Sequence, residues 1–360
     1  MAMELVREWP EPIVRVQTLA DGEFVPERYV KPPSERPNLM AAPNPSSTAA
    51  QLSLPVIDLG GLAGGAAERR ATMAAVSQAF AEWGFFQAVN HGVRAEVMAE
   101  MRRAWRGFFE LPLAEKQAYA NSPATFEGYG SRLGVKKGAI LDWGDYFFLQ
   151  LLPHAVRNYD KWPRLPSSLS RETTEAYAEE VVKLCEVIES VLSVTLGLDE
   201  GFFQRAFGEA GAGIRVNYYP KCPQPDLTLG LSPHSDPGGM TVLLADDQVK
   251  GLQVRNGDSW VTVEPIPGAL IVNVGDQIQV LSNNKYKSVE HRVVVNASTE
   301  RLSFAFFYNP QDDLLIEPAR ELVAPSSPPV YKPMTFKDYR MYMRMLGPRG
   351  KSHVDFMKAT

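Results

Sequence analysis

Three residues in the second half of the chain are arranged for metal chemistry. His234 and Asp236 stand two apart in L-S-P-H-S-D-P-G-G-M, and His291 follows 55 residues after Asp236 in S-V-E-H-R-V-V-V. Two imidazoles and one carboxylate hold one face of a ferrous ion and leave open positions for a chelating co-substrate and O2. Arg301 and Ser303 lie ten and twelve residues beyond His291. A guanidinium with a hydroxyl two residues further on suits the far carboxylate of a small diacid. The order implies a non-haem iron oxygenase that uses 2-oxoglutarate.

Other metals fit less well. A structural zinc site closes its fourth position, usually with Cys or another His. Cys185 and Cys222 are the only cysteines, and neither has a partner at zinc spacing. Without a thiolate, a blue-copper site is excluded as well. Of the five histidines, His91 sits in an N-H-G turn and reads as structural. His154 and His353 read as surface residues.

These side chains need strands to aim them. From Gly213 onward the chain reads as short β-rich runs punctuated by Gly, Pro, Asn and Asp, among them I-R-V-N-Y-Y-P, M-T-V-L-L-A, G-L-Q-V-R, A-L-I-V-N-V-G-D and R-L-S-F-A-F-F-Y-N-P. That is the pattern of an antiparallel sandwich or jelly roll. Residues two apart on a strand share a face. Arg301, Ser303, Ala305 and Phe307 therefore share one face, and Arg215, Asn217 and Tyr219 share another. Asn217 and Tyr219 become candidates to touch 2-oxoglutarate.

Upstream, L-P-V-I-D-L and G-F-F-Q-A-V-N-H-G-V read as strands, and 66–83 and 95–110 as helices. A long amphipathic helix over 171–196 carries Tyr177, Val181, Leu184, Ile188, Val191 and Leu192 on one face. Residues 334–346 read as a further helix. Residues 1–30 resemble an extended packed arm, anchored by Trp9, Ile13, Val14, Leu19, Phe24 and Tyr29. Residues 31–53 read as a surface linker.

The chain of 360 residues has 45% hydrophobic and 22% charged residues and a formal net charge of −5. A sizeable core is possible, and no basic run suggests nucleic acid. No signal peptide and no membrane-length apolar stretch is evident. Few cysteines fit a reducing compartment. The expectation is a cytoplasmic protein, with the nucleus also open to it, that acts as a monomer on a small molecule.

The motifs N-Y-Y-P-K-C-P-Q-P, L-S-P-H-S-D-P-G-G-M-T and L-S-N-N-K-Y-K-S-V-E-H-R-V, with P-V-I-D-L and W-G-F-F-Q-A-V-N-H-G-V upstream, closely resemble the plant 2-oxoglutarate-dependent dioxygenases. The resemblance covers about residues 9–353. It implies an α+β fold, a double-stranded β-helix (a jelly-roll, cupin-like core) flanked by helices. It divides the chain into an arm and linker over 1–53, a mixed helix/strand region over 54–205, the jelly-roll core over 206–312, and a C-terminal helix and tail over 313–360. It assigns iron to His234, Asp236 and His291, and 2-oxoglutarate to Asn217, Tyr219, Arg301 and Ser303. O2 is the second co-substrate and ascorbate the reductant.

W-P-E-P-I-V-R-V-Q, F-E-G-Y-G-S-R-L-G-V, L-D-W-G-D-Y-F-F-L and G-P-R-G-K-S-H-V look more narrowly like the jasmonate-induced oxygenases. That subgroup converts jasmonic acid to 12-hydroxyjasmonic acid and attenuates the hormone signal. The resemblance implies that Arg215, Arg340 and Arg344 hold the substrate carboxylate, with Phe307 and Phe336 at apolar positions of the pocket. Arg340 and Arg344 are four apart and so share a helix face. Three converging cations are costly without an anion. A flavonoid-type oxidase, such as an anthocyanidin or flavonol synthase, is the alternative of the same chemistry. A catalytically silent hormone-binding protein is the alternative of another class.

Overall fold

The computed structural model describes residues 8–37, 53–164, 169–347 and 350–359. Most of the expected linker, 38–52, lies outside the described residues, as do Pro348 and Arg349 of the C-terminal motif.

Twelve strands form the two sheets that matter for the site. They are β1 (Val56–Asp58), β2 (Phe85–Val89), β3 (Gly128–Gly130), β4 (Asp145–Leu152), β5 (Gly211–Tyr219), β6 (Leu231–His234), β7 (Met240–Leu244), β8 (Leu252–Asn256), β9 (Ser259–Thr262), β10 (Leu270–Val274), β11 (His291–Val293) and β12 (Arg301–Asn309). The major sheet runs β1-β2-β10-β7-β12-β5-β4-β3, and the minor sheet β6-β11-β8-β9. All named pairings are antiparallel except β1 with β2.

The helices are α1 (Ala66–Glu82), α2 (Ala95–Glu110), α3 (Leu113–Gln117), α4 (Leu169–Thr195), α5 (Phe202–Phe207), α6 (Asp276–Leu281), α7 (Phe336–Leu346) and α8 (Ser352–Phe356). The period-3.6 stripe of α4 works as the sequence implies: Tyr177, Val181, Leu184, Ile188, Val191 and Leu192 are all buried. With Trp105 and Phe108 of α2 and Phe80 of α1 they form one core with Leu302, Phe304 and Phe306 of β12 and Ile214 and Val216 of β5. The even-numbered face of this ladder thus belongs to the helices. The odd-numbered face, with Arg301, Ser303, Arg215, Asn217 and Tyr219, is left for the interior between the sheets. Burial of such a core is the main stabilising term, at about 25 cal/mol per Å² of apolar surface.

Several sequence expectations need correction. Strands β3 and β4, not expected from the sequence, extend the major sheet beyond β5. The C-terminal helix begins at Phe336, not Met334, because Thr335 caps it by accepting from the Asp338 N–H at 3.2 Å. In the arm, Val14 and Phe24 are exposed, while Val16, Val25 and Tyr29 are buried against Trp143 and Tyr219. The arm is pinned by polar contacts as well: the Val16 and Gln17 N–H groups each donate to the Asp145 carboxylate at 2.9 Å. His353 is fully buried rather than at the surface. Its Nε2 lies 3.0 Å from the Gly347 carbonyl and its ring packs edge-on against Tyr342.

Candidate active site

His234 is the last residue of β6, and β11 begins at His291. The minor sheet pairs these two residues directly. Asp236 lies just past β6, in the turn that S-D-P-G-G creates. The Asp236 Oδ1 atom is 3.6 Å from both His234 Nε2 and His291 Nε2. One ligand atom from each of the three residues lies within 4.8 Å of the others.

Each ligand is aimed from behind. His234 Nδ1 lies 2.9 Å from the Ser232 carbonyl, and His291 Nδ1 lies 3.2 Å from the Val289 carbonyl. A carbonyl only accepts, so each Nδ1 carries the proton and each Nε2 offers its lone pair inward. Asp236 Oδ2 accepts from Thr241 Oγ1 at 2.6 Å and Asn273 Nδ2 at 2.8 Å, which leaves Oδ1 to the centre. Burial, then the nearby His291, push the His234 pKa well down, so it is neutral and able to ligate at neutral pH. Burial opposes ionisation of Asp236, but the two imidazoles and the Asn273 and Thr241 hydrogen bonds outweigh it and hold the carboxyl below its usual range. No thiolate is near, and both cysteines are buried and free. The donor set fits ferrous iron with open positions.

The register of β5 against β12 builds the next part. Arg301 faces Tyr219, Ser303 faces Asn217, Ala305 faces Arg215 and Phe307 faces Gly213. The two same-face sets expected from the sequence are therefore cross-strand neighbours. Arg301 is buried, with Nη1 donating to Ser303 Oγ at 3.2 Å, Nε donating to the Val249 carbonyl at 3.2 Å, and its guanidinium carbon 5.6 Å from the Tyr219 ring centre. Burial lowers its pKa, partly offset by Tyr219 and Asp246, yet it makes no ion pair among the described residues. Gly251 leaves room for this side chain, since a Cβ there would stand 2.9 Å from Arg301 Cδ. Asn217 Oδ1 is buried without a hydrogen-bond partner among the described residues. A buried cation without a carboxylate partner on this face calls for a bound anion, and the Asn217 oxygen beside it calls for a donor such as a water.

At the Phe307 end of the same ladder a cavity of about 400 Å³ opens. His234 and Asp236 lie on its wall, with Arg215, Arg340, Arg344, Phe307 and Phe336. The structure thus brings all five expected substrate residues together beside the triad. One expectation changes. Arg340 donates to Asp312 at 2.6 Å, so the cavity holds two arginines without a carboxylate partner among the described residues, not three. Arg215 lies over the Tyr146 ring at 4.2 Å, and Arg344 over Phe126 at 5.5 Å. Burial, then the neighbouring Arg340, lower the Arg344 pKa to about 10, which keeps it charged at neutral pH.

Thr241, Asn273, Tyr146, Phe126 and Asp312 have roles that the sequence reading missed. Thr241 and Asn273 sit inside apolar strand text with no motif of their own. An extra signal was available for Asp276: it follows Gly275 in a strand-ending G-D. Its buried carboxylate accepts from Tyr339 Oη at 2.6 Å and Ser235 Oγ at 3.2 Å, which ties α7 to the turn between the metal ligands.

With that geometry in place, two matches bear on the class of protein. Residues 210–310 match the 2OG-Fe(II) oxygenase superfamily, and residues 54–165 match the N-terminal region described as non-haem dioxygenase in morphine synthesis. The chain belongs to the 2OG-Fe(II) oxygenase superfamily. Among its relatives, Jasmonate-induced oxygenase 1 of Arabidopsis thaliana is 56% identical over 98% of this chain and 88% of that protein. Jasmonate-induced oxygenase 2 of the same plant is 57% identical over 97% of this chain and 94% of that protein. The crystal structure of JOX2 in complex with 2OG, Fe and JA superposes with a TM-score of 0.90 at 56% identity, covering 98% of this chain and all of that one. Iron and 2-oxoglutarate are accordingly the cofactor and co-substrate of this enzyme. No helix among the described residues is long and apolar enough to cross a membrane.

Proposed function

We propose that this dioxygenase hydroxylates jasmonic acid to 12-hydroxyjasmonic acid and so attenuates the hormone signal. The observation that carries the reading is the pairing of an apolar cavity with two cations, Arg215 and Arg344, that have no carboxylate partner among the described residues. A carboxylate on an otherwise apolar substrate neutralises them and fills the space between Phe307 and Phe336. The relatives named for jasmonate, one of them crystallised with it, support the same choice.

Each side chain has a positioning task. His234, Asp236 and His291 hold the iron. Arg301 and Ser303 receive the distal carboxylate of 2-oxoglutarate, with Asn217 and Tyr219 beside them. Arg215 and Arg344 take the substrate carboxylate, with Arg340 beside them in its pair with Asp312, and the phenylalanines direct the aliphatic end toward the triad. With iron, 2-oxoglutarate and O2 bound, the centre would supply an oxidant able to hydroxylate an unactivated carbon, one oxygen atom going to the product and the other to the succinate left when 2-oxoglutarate loses CO2. The protein contributes orientation and a dry cavity, and no side chain is needed as acid or base. Ascorbate serves as the reductant that maintains ferrous iron. We infer further that the enzyme acts as a monomer on a cytoplasmic pool of substrate.

A flavonoid substrate is flat and neutral to weakly acidic, and it leaves the two arginines unmatched. The deciding experiment offers enzyme reconstituted anaerobically with iron a panel of jasmonates, flavonoids and gibberellins, then admits O2 and reads products by mass spectrometry. Hydroxylation of jasmonic acid at C12 in preference to the others is expected. Turnover of a flavonoid with jasmonic acid untouched overturns the reading.

A further inference from the structure

The two unpaired arginines of the cavity come from distant elements, β5 and α7. Each rests on an aromatic face, Arg215 on Tyr146 of β4 and Arg344 on Phe126 of the loop before β3. Cations over ring faces are attracted by the ring quadrupole, so each ring fixes where its guanidinium stands. Both rings are held by one residue. The buried Asn121 amide donates from Nδ2 to Tyr146 Oη at 2.8 Å and reaches the Phe126 carbonyl at 3.5 Å. Tyr146 Oη in turn donates to the Arg132 carbonyl at 3.0 Å, so its hydroxyl has both roles filled and its ring cannot swing. Arg344 Nη2 also reaches the Thr125 carbonyl at 3.4 Å, next to Phe126.

The N-terminal arm closes this arrangement from outside. Trp9 Nε1 donates to the Asn121 carbonyl at 3.3 Å, and the Trp9 ring meets Phe126 edge-on at 5.4 Å. Phe126 is held at φ +60, a conformation that costs energy for a bulky residue and persists only where neighbours impose it. Gly130 is part of the same contact: a Cβ there would overlap the Asn121 amide and the Tyr146 hydroxyl end. Four separate segments thus converge on one amide that braces two wall residues, Tyr146 and Phe126, from behind and does not itself line the cavity.

We propose that Asn121 is a positioning residue for the substrate-carboxylate clamp, setting the spacing of Arg215 and Arg344 through Tyr146 and Phe126, and that Trp9 of the N-terminal arm locks it in place. The inference rests on the reading that these two arginines bind the carboxylate of the substrate. Asn121 therefore governs the preference for a free acid over its ester, without contact to either. The arm acquires a function in substrate selection, although it lies outside both family-matched regions.

The test compares kcat/KM for jasmonic acid with that for its methyl ester in Asn121→Ala, Trp9→Ala and Tyr146→Phe, with Arg344→Ala in parallel. Tyr146→Phe keeps the ring face and loses only the hydroxyl that Asn121 holds. Trp9→Ala alters the arm and leaves the buried amide in place, so it serves if Asn121→Ala folds poorly. The expected result is a fall in acid-over-ester preference of roughly tenfold to a hundredfold, the range that a displacement of about 1 Å costs. The KM for 2-oxoglutarate stays at the wild-type value. A merely structural role lowers both substrates together and leaves the ratio unmoved, and that result overturns the proposal. If Arg344→Ala itself leaves the ratio intact, the clamp reading fails instead. If Arg344→Ala collapses the ratio while Trp9→Ala and Tyr146→Phe both preserve it, the positioning role of Asn121 is wrong and the clamp survives.

Discussion

The two ends of the β5/β12 ladder are built by different means. At the Arg301 end, and at the triad, side chains are aimed by strand register and by backbone carbonyls. His234 and His291 face each other across paired strands, and Arg301 faces Tyr219 in the same way. At the Phe307 end the arginines come from a strand and a C-terminal helix and lean on rings from two further segments. Strand register is stiff, because a slip of one residue turns every side chain to the other face. Loops and a terminal helix can shift without disturbing the sheet. The chemistry therefore sits on the rigid part, and the choice of substrate sits on the part that can vary at small cost to the fold.

The largest effect should come from the rigid end. Asp236→Ala removes one of three protein ligands and should abolish both succinate formation and hydroxylation, with little loss of secondary structure by circular dichroism. Iron content after anaerobic reconstitution gives a second readout. Near-wild-type succinate formation from this variant contradicts the metal assignment.

Next in size is Arg301→Ala. Truncating one partner of a buried charge pair costs about 2–5 kcal/mol. The KM for 2-oxoglutarate should rise steeply while the KM for the organic acid moves little. Equal rises in both would erase the distinction between the two ends of the ladder.

Arg344→Ala should show the opposite selectivity. Loss of a hydrogen bond to a charged group costs about 1.5–3 kcal/mol. Binding of jasmonic acid weakens by that amount, the methyl ester is unaffected, and 2-oxoglutarate titrates as in the wild type. Isothermal titration in the absence of O2 separates these three affinities.

Asp312→Asn is the smallest change. Its pair with Arg340 is partly exposed, with side-chain accessibilities of 42% and 31%, and such pairs contribute up to about 1 kcal/mol. Releasing Arg340 toward the cavity should lower the KM for the acid by less than about fivefold. A rise in KM would mean that Asp312 orients Arg340 rather than competing for it.

Legibility in the sequence followed the length scale of each signal. The helices expected at 95–110 and 171–196 were readable because each carries an apolar stripe, whereas the one expected at 66–83 turns only Met73, Val76, Ala79 and Phe80 to the core. Strands β5 and β12 were readable because polar and apolar residues alternate in Ile214-Arg215-Val216-Asn217 and Arg301-Leu302-Ser303-Phe304. Strand β3 is three residues, G-Y-G, too short for any period to show. His353 was misplaced because a lone histidine in polar text gives no sign of the cavity into which a short helix folds it. Arg340 was assigned with its helix neighbour, and nothing nearby in sequence announced Asp312, which is 28 positions upstream.

The sequence by itself determined the chemistry. H-x-D, the later histidine and R-x-S name the donor atoms, and a period of two decides which side chains share a face. Those are local properties of a chain and need no knowledge of what lies across the sheet. Only the tertiary structure decided the rest. It set Arg301 against Tyr219, gave Asp236 its Thr241 and Asn273 donors, paired Arg340 with Asp312, and gathered Trp9, Asn121 and Tyr146 around the substrate arginines. Except for Thr241, five positions from Asp236, these contacts join residues tens to hundreds of positions apart. Each depends on how strands register and helices dock, and no local spacing encodes it.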